Sequence, residues 1–370
     1  MKRLTMLVLS ALLLTLLAAC GATATPTTGM GGASTAPATA AGTTGGPTAV
    51  ATRGTAVAGA TATRAGGPLR KLTIGLGYIP DVQFAPFYVA QARGYFRDEG
   101  LDVEFKQGFG VDVLKLLGTG ALNFGVAGGD EVMIARSQGV PLVYVGTWFQ
   151  KYPVTVMALD KANIRTVADL KGRTVGVPGR YGATYIGLLA LLDSAGLKES
   201  DVQLREIGFT QVQALTQGQV DAVVGYTNNE PVQLRALGQS ITTINVFDKV
   251  NLASNGLVTD EKTVSGDPAL VRAVVRAVMR GIQDTIADPD AAVTLSTPTI
   301  PGAADKRAQL RAVLDATLPV LQSEQTAAHG LGYADPAAWT STRDLLLRLK
   351  ILGGDIDLAK TYSNAYLPTK

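Results

Sequence analysis

The residues able to carry catalysis are few. One histidine, His329, and one cysteine, Cys20, occur in 370 residues. A Ser-His-Asp or Cys-His arrangement would have to use His329, in a helical stretch away from every candidate loop. No cluster of His, Cys and carboxylates offers a metal site. No glycine-rich lysine motif cradles a nucleotide, so any ATPase must be another chain. Asp130-Glu131 and Asn229-Glu230 each precede a helical pattern, where a carboxylate caps the first turn. Capping outweighs catalysis for these pairs, though Asp130 or Glu230 could also accept ligand hydroxyls. Arg180 is either a solvated charge or an anion clamp. Aromatic surface is more plentiful: Tyr78, Phe84, Phe87, Trp148, Phe149, Tyr152, Tyr181, Tyr185 and Tyr226. Such faces suit a broad, neutral, planar ring, each aromatic pair adding about 0.5–1.5 kcal/mol beyond burial. These residue types point to binding rather than turnover, and no cofactor is expected.

The elements that position them alternate between strand and helix. Strands are predicted over 72–76, 102–105 and 124–127, with helices over 85–99 and 111–117. The order then repeats, with strands over 174–177, 201–204 and 221–225 and helices over 185–192 and 210–217. Gly120 to Val126 can be laid over Gly218 to Val224, and Asp102 to Phe105 over Asp201 to Leu204. One α/β unit therefore occurs twice, too far apart for a solenoid, whose repeats run about 20–50 residues. The expected fold is α/β with two lobes, each a mostly parallel sheet flanked by helices. Residues 71–155 and 257–370 should form lobe 1 with a helical tail, and 156–256 lobe 2. The tail is predicted helical over 268–287, 305–322 and 336–349. Asp267-Pro268 supplies an N-cap and a proline at the first helical position. Hinges are expected near Pro153–Ala158 and Ala253–Val258.

Ligands of such folds lie at the carboxyl ends of the strands, between the lobes. The loops there offer Tyr78, Gln83, Phe84 and Asp130 from lobe 1. Lobe 2 offers Tyr181, Tyr185, Tyr226, Asn229 and Glu230. Trp148 and Tyr152, on the crossover, belong either to the cleft or to the lobe interface. Phe87 and Tyr88 read as core beneath a helix.

The N-terminus sets the expected compartment. Lys2 and Arg3 precede an apolar run from Leu7 to Leu17, followed by Ala18, Ala19 and Cys20. The run is short of the ~20 apolar residues of a spanning helix and has the layout of a secretory signal. Leu17 to Cys20 resembles the bacterial lipoprotein box, so residues 1–20 read as a signal ending at a lipidated Cys20. Residues 21–68 are Ala, Thr, Gly, Pro and Ser with little charge, a composition that cannot offset chain entropy. As a flexible linker they would reach roughly 40 Å. The net charge of +3 shows no basic concentration, so nucleic acid is not expected as a partner.

Several motifs together resemble the type II periplasmic binding proteins of the NMT1/ThiY-like and SsuA-like group. They are Gly77-Tyr78-Ile79-Pro80, Ala85 to Ala90, Gly94 to Val103, Ala168 to Val177 and Gly218 to Ala222. The resemblance implies capture of a small molecule for an ABC importer. It also implies a permease and ATPase on separate chains, and a monomer tethered to the extracytoplasmic face of the membrane. Pyrimidine-binding members carry an Asp-Trp pair at Gly77-Tyr78 and a histidine near Gln83–Phe84, and the enzyme branch a histidine and a cysteine cluster. This chain has none of these. Gly-Tyr-Ile-Pro followed by Val-Gln-Phe-Ala-Pro looks most like the riboflavin-binding branch. Riboflavin or a close flavin is therefore the expected ligand, with a thiamin pyrimidine precursor or an alkanesulfonate as alternatives.

Overall fold

A computed structural model describes residues 67–108 and 110–369. The strands are β1 (Arg70–Leu76), β2 (Leu101–Gln107), β3 (Phe124–Gly128), β4 (Leu142–Thr147), β5 (Val154–Leu159), β6 (Thr174–Val177), β7 (Gln203–Glu206), β8 (Ala222–Tyr226), β9 (Ile241–Asn245) and β10 (Asn255–Asp260). They form two five-stranded sheets of matching order, β2-β1-β3-β10-β4 and β7-β6-β8-β5-β9. In each, four strands run one way and a strand from across the molecule joins antiparallel to both its neighbours: β10 between β3 and β4, and β5 between β8 and β9. The duplication read from Gly120–Val126 and Gly218–Val224 thus maps onto equivalent strands, β3 and β8. The fold is α/β with two lobes, as the sequence implied.

The helices are α1 (Ala85–Ala92), α2 (Tyr95–Asp98), α3 (Gly110–Gly118), α4 (Gly129–Ser137), α5 (Gly182–Ser194), α6 (Gln211–Thr216), α7 (Glu230–Ala236), α8 (Glu261–Gly266), α9 (Pro268–Ala287), α10 (Pro289–Ser296), α11 (Arg307–Thr317), α12 (Glu324–His329), α13 (Pro336–Arg348) and α14 (Leu358–Thr361). The single helix expected over 85–99 is two, because Gly94 takes φ +77° between them, a left-handed turn that favours glycine. The strand expected at 201–204 begins two residues later. Asp201 instead closes a short turn, its carboxylate accepting the Lys198 N–H at 2.8 Å. The helix expected over 305–322 shortens to α11, and Pro319 sits in the tighter turn that follows.

The longest helix, α9, spans the predicted 268–287 range, with Asp267 accepting the Leu270 N–H at 3.0 Å. Val271, Val274, Val275, Val278 and Ile282 are buried on its inner face, each worth about 1.5–3 kcal/mol. That face lies on α1, where Gly281 meets the Pro86 carbonyl so closely that a Cβ would stand 2.0 Å from it.

The chain crosses between sheets over residues 148–153 and 246–254. The expected boundaries, 155/156 and 256/257, fall inside β5 and β10, and the expected hinges run from the ends of the crossings, at Pro153 and at Ala253–Ser254, into those strands. Val154 and Thr155 already pair in the second sheet, and Asn255 and Gly256 in the first. The crossings are bonded to one another: Trp148 and Phe149 both donate N–H to the Asn255 carbonyl at 2.9 Å. The tail touches both lobes. Arg348 pairs with Asp193 of α5 at 2.7 Å, and Asn228 donates to Thr317 of α11 at 2.9 Å.

Candidate functional site: an aromatic cleft between the lobes

The turn after β1 builds one wall. Asp81 accepts the Gln83 N–H at 2.9 Å and caps a tight turn over Val82–Phe84. That turn places Tyr78 at the opening while Gln83 and Phe84 are drawn inward and buried. The floor is aromatic. Phe84 stacks on Trp148 with centroids 5.2 Å apart, Trp148 stacks on Phe149 at 3.8 Å, and Phe87 meets Trp148 edge-on at 5.5 Å. Offset and edge contacts of this kind fix ring orientation. Trp148 is held by its backbone bond to Asn255, so its indole is a fixed part of the crossing.

Lobe 2 builds the facing wall from the loops after β6, β7 and β8. Tyr181 and Phe209 stand there half exposed, at 45% and 48%. Phe209 reaches across to Tyr78, with ring centroids 6.1 Å apart. Tyr226 is half-buried, its hydroxyl 3.5 Å from the Asn255 amide. Asn229 and Glu230 also face the cavity, whose volume is about 130 Å³.

Of the residues singled out from sequence, Tyr78, Gln83, Phe84, Trp148, Tyr181, Tyr226, Asn229 and Glu230 come together around this cavity. Three lie elsewhere. Asp130 is fully buried behind it, and Tyr152 packs beside Asp130 with its hydroxyl 3.1 Å from Oδ2. Tyr185 turns away, donating to Glu199 at 2.6 Å. Asn228 is held by Thr317 and does not line the cavity. The sequence reading missed Phe209 and Asn255, and it took Glu131, which lines the cavity, chiefly as a helix cap. Phe209 follows β7, so reading the loop after every strand would have found it.

The polar character of the site is acidic. Glu131 accepts the Gly128 N–H at 2.9 Å, and Glu230 accepts the Tyr226 N–H at 2.8 Å. Burial raises both carboxyls, Glu230 to about 7, against the lowering effect of those N–H bonds. Burial, reinforced by the charge of Glu131, pushes Asp130 up to about 8. Among the described residues no Lys, Arg or His lines the cavity. Arg180 is engaged by Glu199 and, at 3.4 Å, by Glu206. Two buried side-chain atoms on the lining residues have no partner: the Trp148 indole N–H and the Asn255 side-chain amide oxygen Oδ1. A donor and an acceptor left unpaired in an apolar site are costly unless a ligand or water meets them. Among the described residues no cluster suits a metal ion, and His329 stacks on Tyr333 at 4.1 Å, outside the cleft.

Residues 81–292 match the family described as NMT1/THI5 like. The chain is 38% identical over 314 residues to the riboflavin-binding protein RibY of Chloroflexus aurantiacus, covering 84% of this chain and 89% of that protein. It is 25% identical over 309 residues to the 4-amino-5-hydroxymethyl-2-methylpyrimidine phosphate synthase of Legionella pneumophila, covering 80% and 92%. Among solved structures, the alkanesulfonate-binding protein SsuA of Xanthomonas axonopodis pv. citri, bound to MOPS, superposes with a TM-score of 0.63. The identity is 20%, with 81% of this chain and 100% of that one covered; at that identity it speaks for the fold alone. With its paired sheets and its cleft, the chain belongs to the NMT1/THI5-like family and is a solute-binding protein of the two-lobed periplasmic binding class.

Proposed function

We propose that the cleft captures riboflavin, or a close flavin, and delivers it to an ABC importer whose permease and ATPase are separate chains. The observation that carries this is an aromatic cavity without a cation, holding an unpaired indole N–H and an unpaired amide carbonyl. A flavin brings a planar ring for the aromatic faces. Its ring edge carries carbonyls and an N–H that complement the Trp148 donor and the Asn255 acceptor. The 38% identity to a protein named for riboflavin binding supports the same ligand. An alkanesulfonate would need a positive clamp, and Arg180 is occupied by Glu199 and Glu206.

One observation favours a second reading. Glu131 and Glu230 supply acids beside the rings, the partners an aminopyrimidine would use, although its expected Asp-Trp pair and histidine are missing. A cavity of about 130 Å³ is smaller than the roughly 300–1,000 Å³ of pockets for drug-sized ligands. Either ligand therefore enters by parting the lobes.

The N-terminal part of the proposal, a signal over 1–20, a lipidated Cys20 and a spacer over 21–68, lies outside the described residues except at its end. Among the described residues no helix is long and apolar enough to cross a membrane. Fluorescence titration tests the ligand: protein should quench riboflavin saturably, and Tyr181→Ala should weaken it about tenfold, from one lost stacking face. Saturable binding of a hydroxymethyl-pyrimidine with none of riboflavin would replace the flavin reading by the second one.

A further inference from the structure

Open α/β clefts offer anions the N-termini of their helices, where free N–H groups and the helix dipole favour negative charge. Here the protein's own carboxyls stand beside those positions. At α4, Glu131 takes the Gly128 N–H at 2.9 Å, and Asp130 occupies the first turn. The α5 terminus carries no acid of its own. It opens at Gly182, where a Cβ would stand 3.5 Å from Oε1 of the same Glu131. In the turn after β8, Glu230 takes the Tyr226 N–H at 2.8 Å. Both Glu131 and Glu230 line the cavity, and among the described residues no Lys, Arg or His does. The titratable groups acting on them are acids and phenols: Tyr78, Asp81 and Tyr226 on Glu230, and Asp130, Tyr152 and Tyr226 on Glu131.

We propose that Glu131 and Glu230 are specificity-determining residues that make the cleft reject the 5′-phosphomonoester of its flavin and accept the free alcohol. This rests on the flavin reading above. A phosphate dianion brought among these carboxyls finds no Lys, Arg or His among the described lining residues, and at the uncapped α5 terminus it meets Glu131, so it must either face like charge or force protons onto the glutamates. A neutral ribityl chain meets the same carboxyls as hydrogen-bond acceptors. A flavin met as its 5′-phosphomonoester would have to be hydrolysed before capture, water displacing the flavin alkoxy group from phosphorus to yield riboflavin and inorganic phosphate.

The test compares riboflavin, riboflavin 5′-phosphate and a neutral 5′-ester, riboflavin 5′-acetate, by fluorescence quenching with the full chain at pH 6 and pH 8. The phosphate should bind at least about tenfold more weakly than riboflavin at pH 8, with the acetate close to riboflavin. Glu131→Gln and Glu230→Gln, which keep shape and remove charge, should each narrow the riboflavin-to-phosphate ratio. The ratio should also widen between pH 6 and pH 8 more in the wild type than in the double variant. The ligand's own phosphate ionises equally in both and cancels. Equal affinity for riboflavin and its phosphate overturns this inference and leaves the flavin reading standing. Weak acetate binding, or a ratio untouched by both variants, assigns the rejection to size and also overturns it. No saturable binding of any of the three takes down the flavin reading and this inference together.

Discussion

Asp130→Asn isolates the energetic consequence of the buried acid behind the cleft. Asp130 has no exposed surface. Its Oδ2 lies 3.1 Å from the Tyr152 hydroxyl, which is also 3.0 Å from the Ala183 carbonyl of α5, and its Oδ1 has no partner. Tyr152 has one hydroxyl proton and cannot donate to both oxygens at once. A protonated Asp130 resolves the conflict by donating to the Tyr152 oxygen, while Tyr152 donates to Ala183. Lobe 1, the crossing and lobe 2 are then joined in one chain of hydrogen bonds. Burial, with the charge of Glu131 adding to it, pushes this carboxyl from 3.8 up to about 8. Between those values the unfolded chain has released the proton and the folded one retains it. The folded state binds more protons, so stability falls as pH rises. The contribution is complete below pH 3.8, is lost progressively up to about pH 8 and is constant above. Each pH unit in that window is worth about 1.4 kcal/mol. The asparagine side chain has the same shape, does not titrate and removes this slope. From pH 5 to pH 7 the stability difference should therefore move in the variant's favour by about 3 kcal/mol. Urea unfolding followed by Trp148 and Trp339 fluorescence, at fixed ionic strength, measures it. Parallel pH profiles for wild type and variant would show that Asp130 is ionised in the folded protein, and the hydrogen-bond chain would be wrong.

Other perturbations address packing, motion and the anchor. Gly281→Ala should destabilise by about 1–3 kcal/mol, because its Cβ would stand 2.0 Å from the Pro86 carbonyl where α9 lies on α1; an unchanged melting temperature would mean that contact is looser. Saturating ligand should reduce the radius of gyration measured by X-ray scattering, since each lobe lines part of one cavity and only residues 148–153 and 246–254 carry the chain between sheets. Identical profiles would argue that tail contacts such as Arg348–Asp193 hold the lobes fixed. Mass spectrometry of the native N-terminus should find the mature chain starting at a lipid-bearing Cys20; an unmodified start elsewhere removes the anchor.

The sequence made the elements legible where pattern and cap agreed, and less so where a local bond overrode the pattern. Apolar spacing and Asp267-Pro268 define α9 because the side chain that caps it and the face that buries it are both local properties. At 201–204 the alternation was read as strand, but Asp201 finds the Lys198 N–H three residues back and makes a turn. That slip of two residues had a cost at the site. It made β7 end early, so the residues beyond it read as an approach to α6 rather than a strand-end loop, and Phe209 was passed over.

Choosing among neighbours on one helix was harder still, for a geometric reason. Successive helical residues point about 100° apart, so adjacent side chains can face different ways. Thr184 lines the cavity and Tyr185 turns to Glu199; Glu131 lines it and Asp130 turns to Tyr152. In both pairs the two neighbours belong to one candidate loop, and nothing local says which of them faces inward. The direction is fixed by where α4 and α5 meet across the crossing, a long-range contact with no local signature. Charge logic does not share this limit. Both members of the Asp130-Glu131 pair are acids, and with Glu230 they give the region its sign whichever one faces inward. Arg180, the one cation weighed as a clamp from sequence, is neutralised by Glu199 and Glu206. The proposed selection for an uncharged ligand therefore rests on residue composition around the strand ends. The pose of that ligand depends on which way each side chain turns.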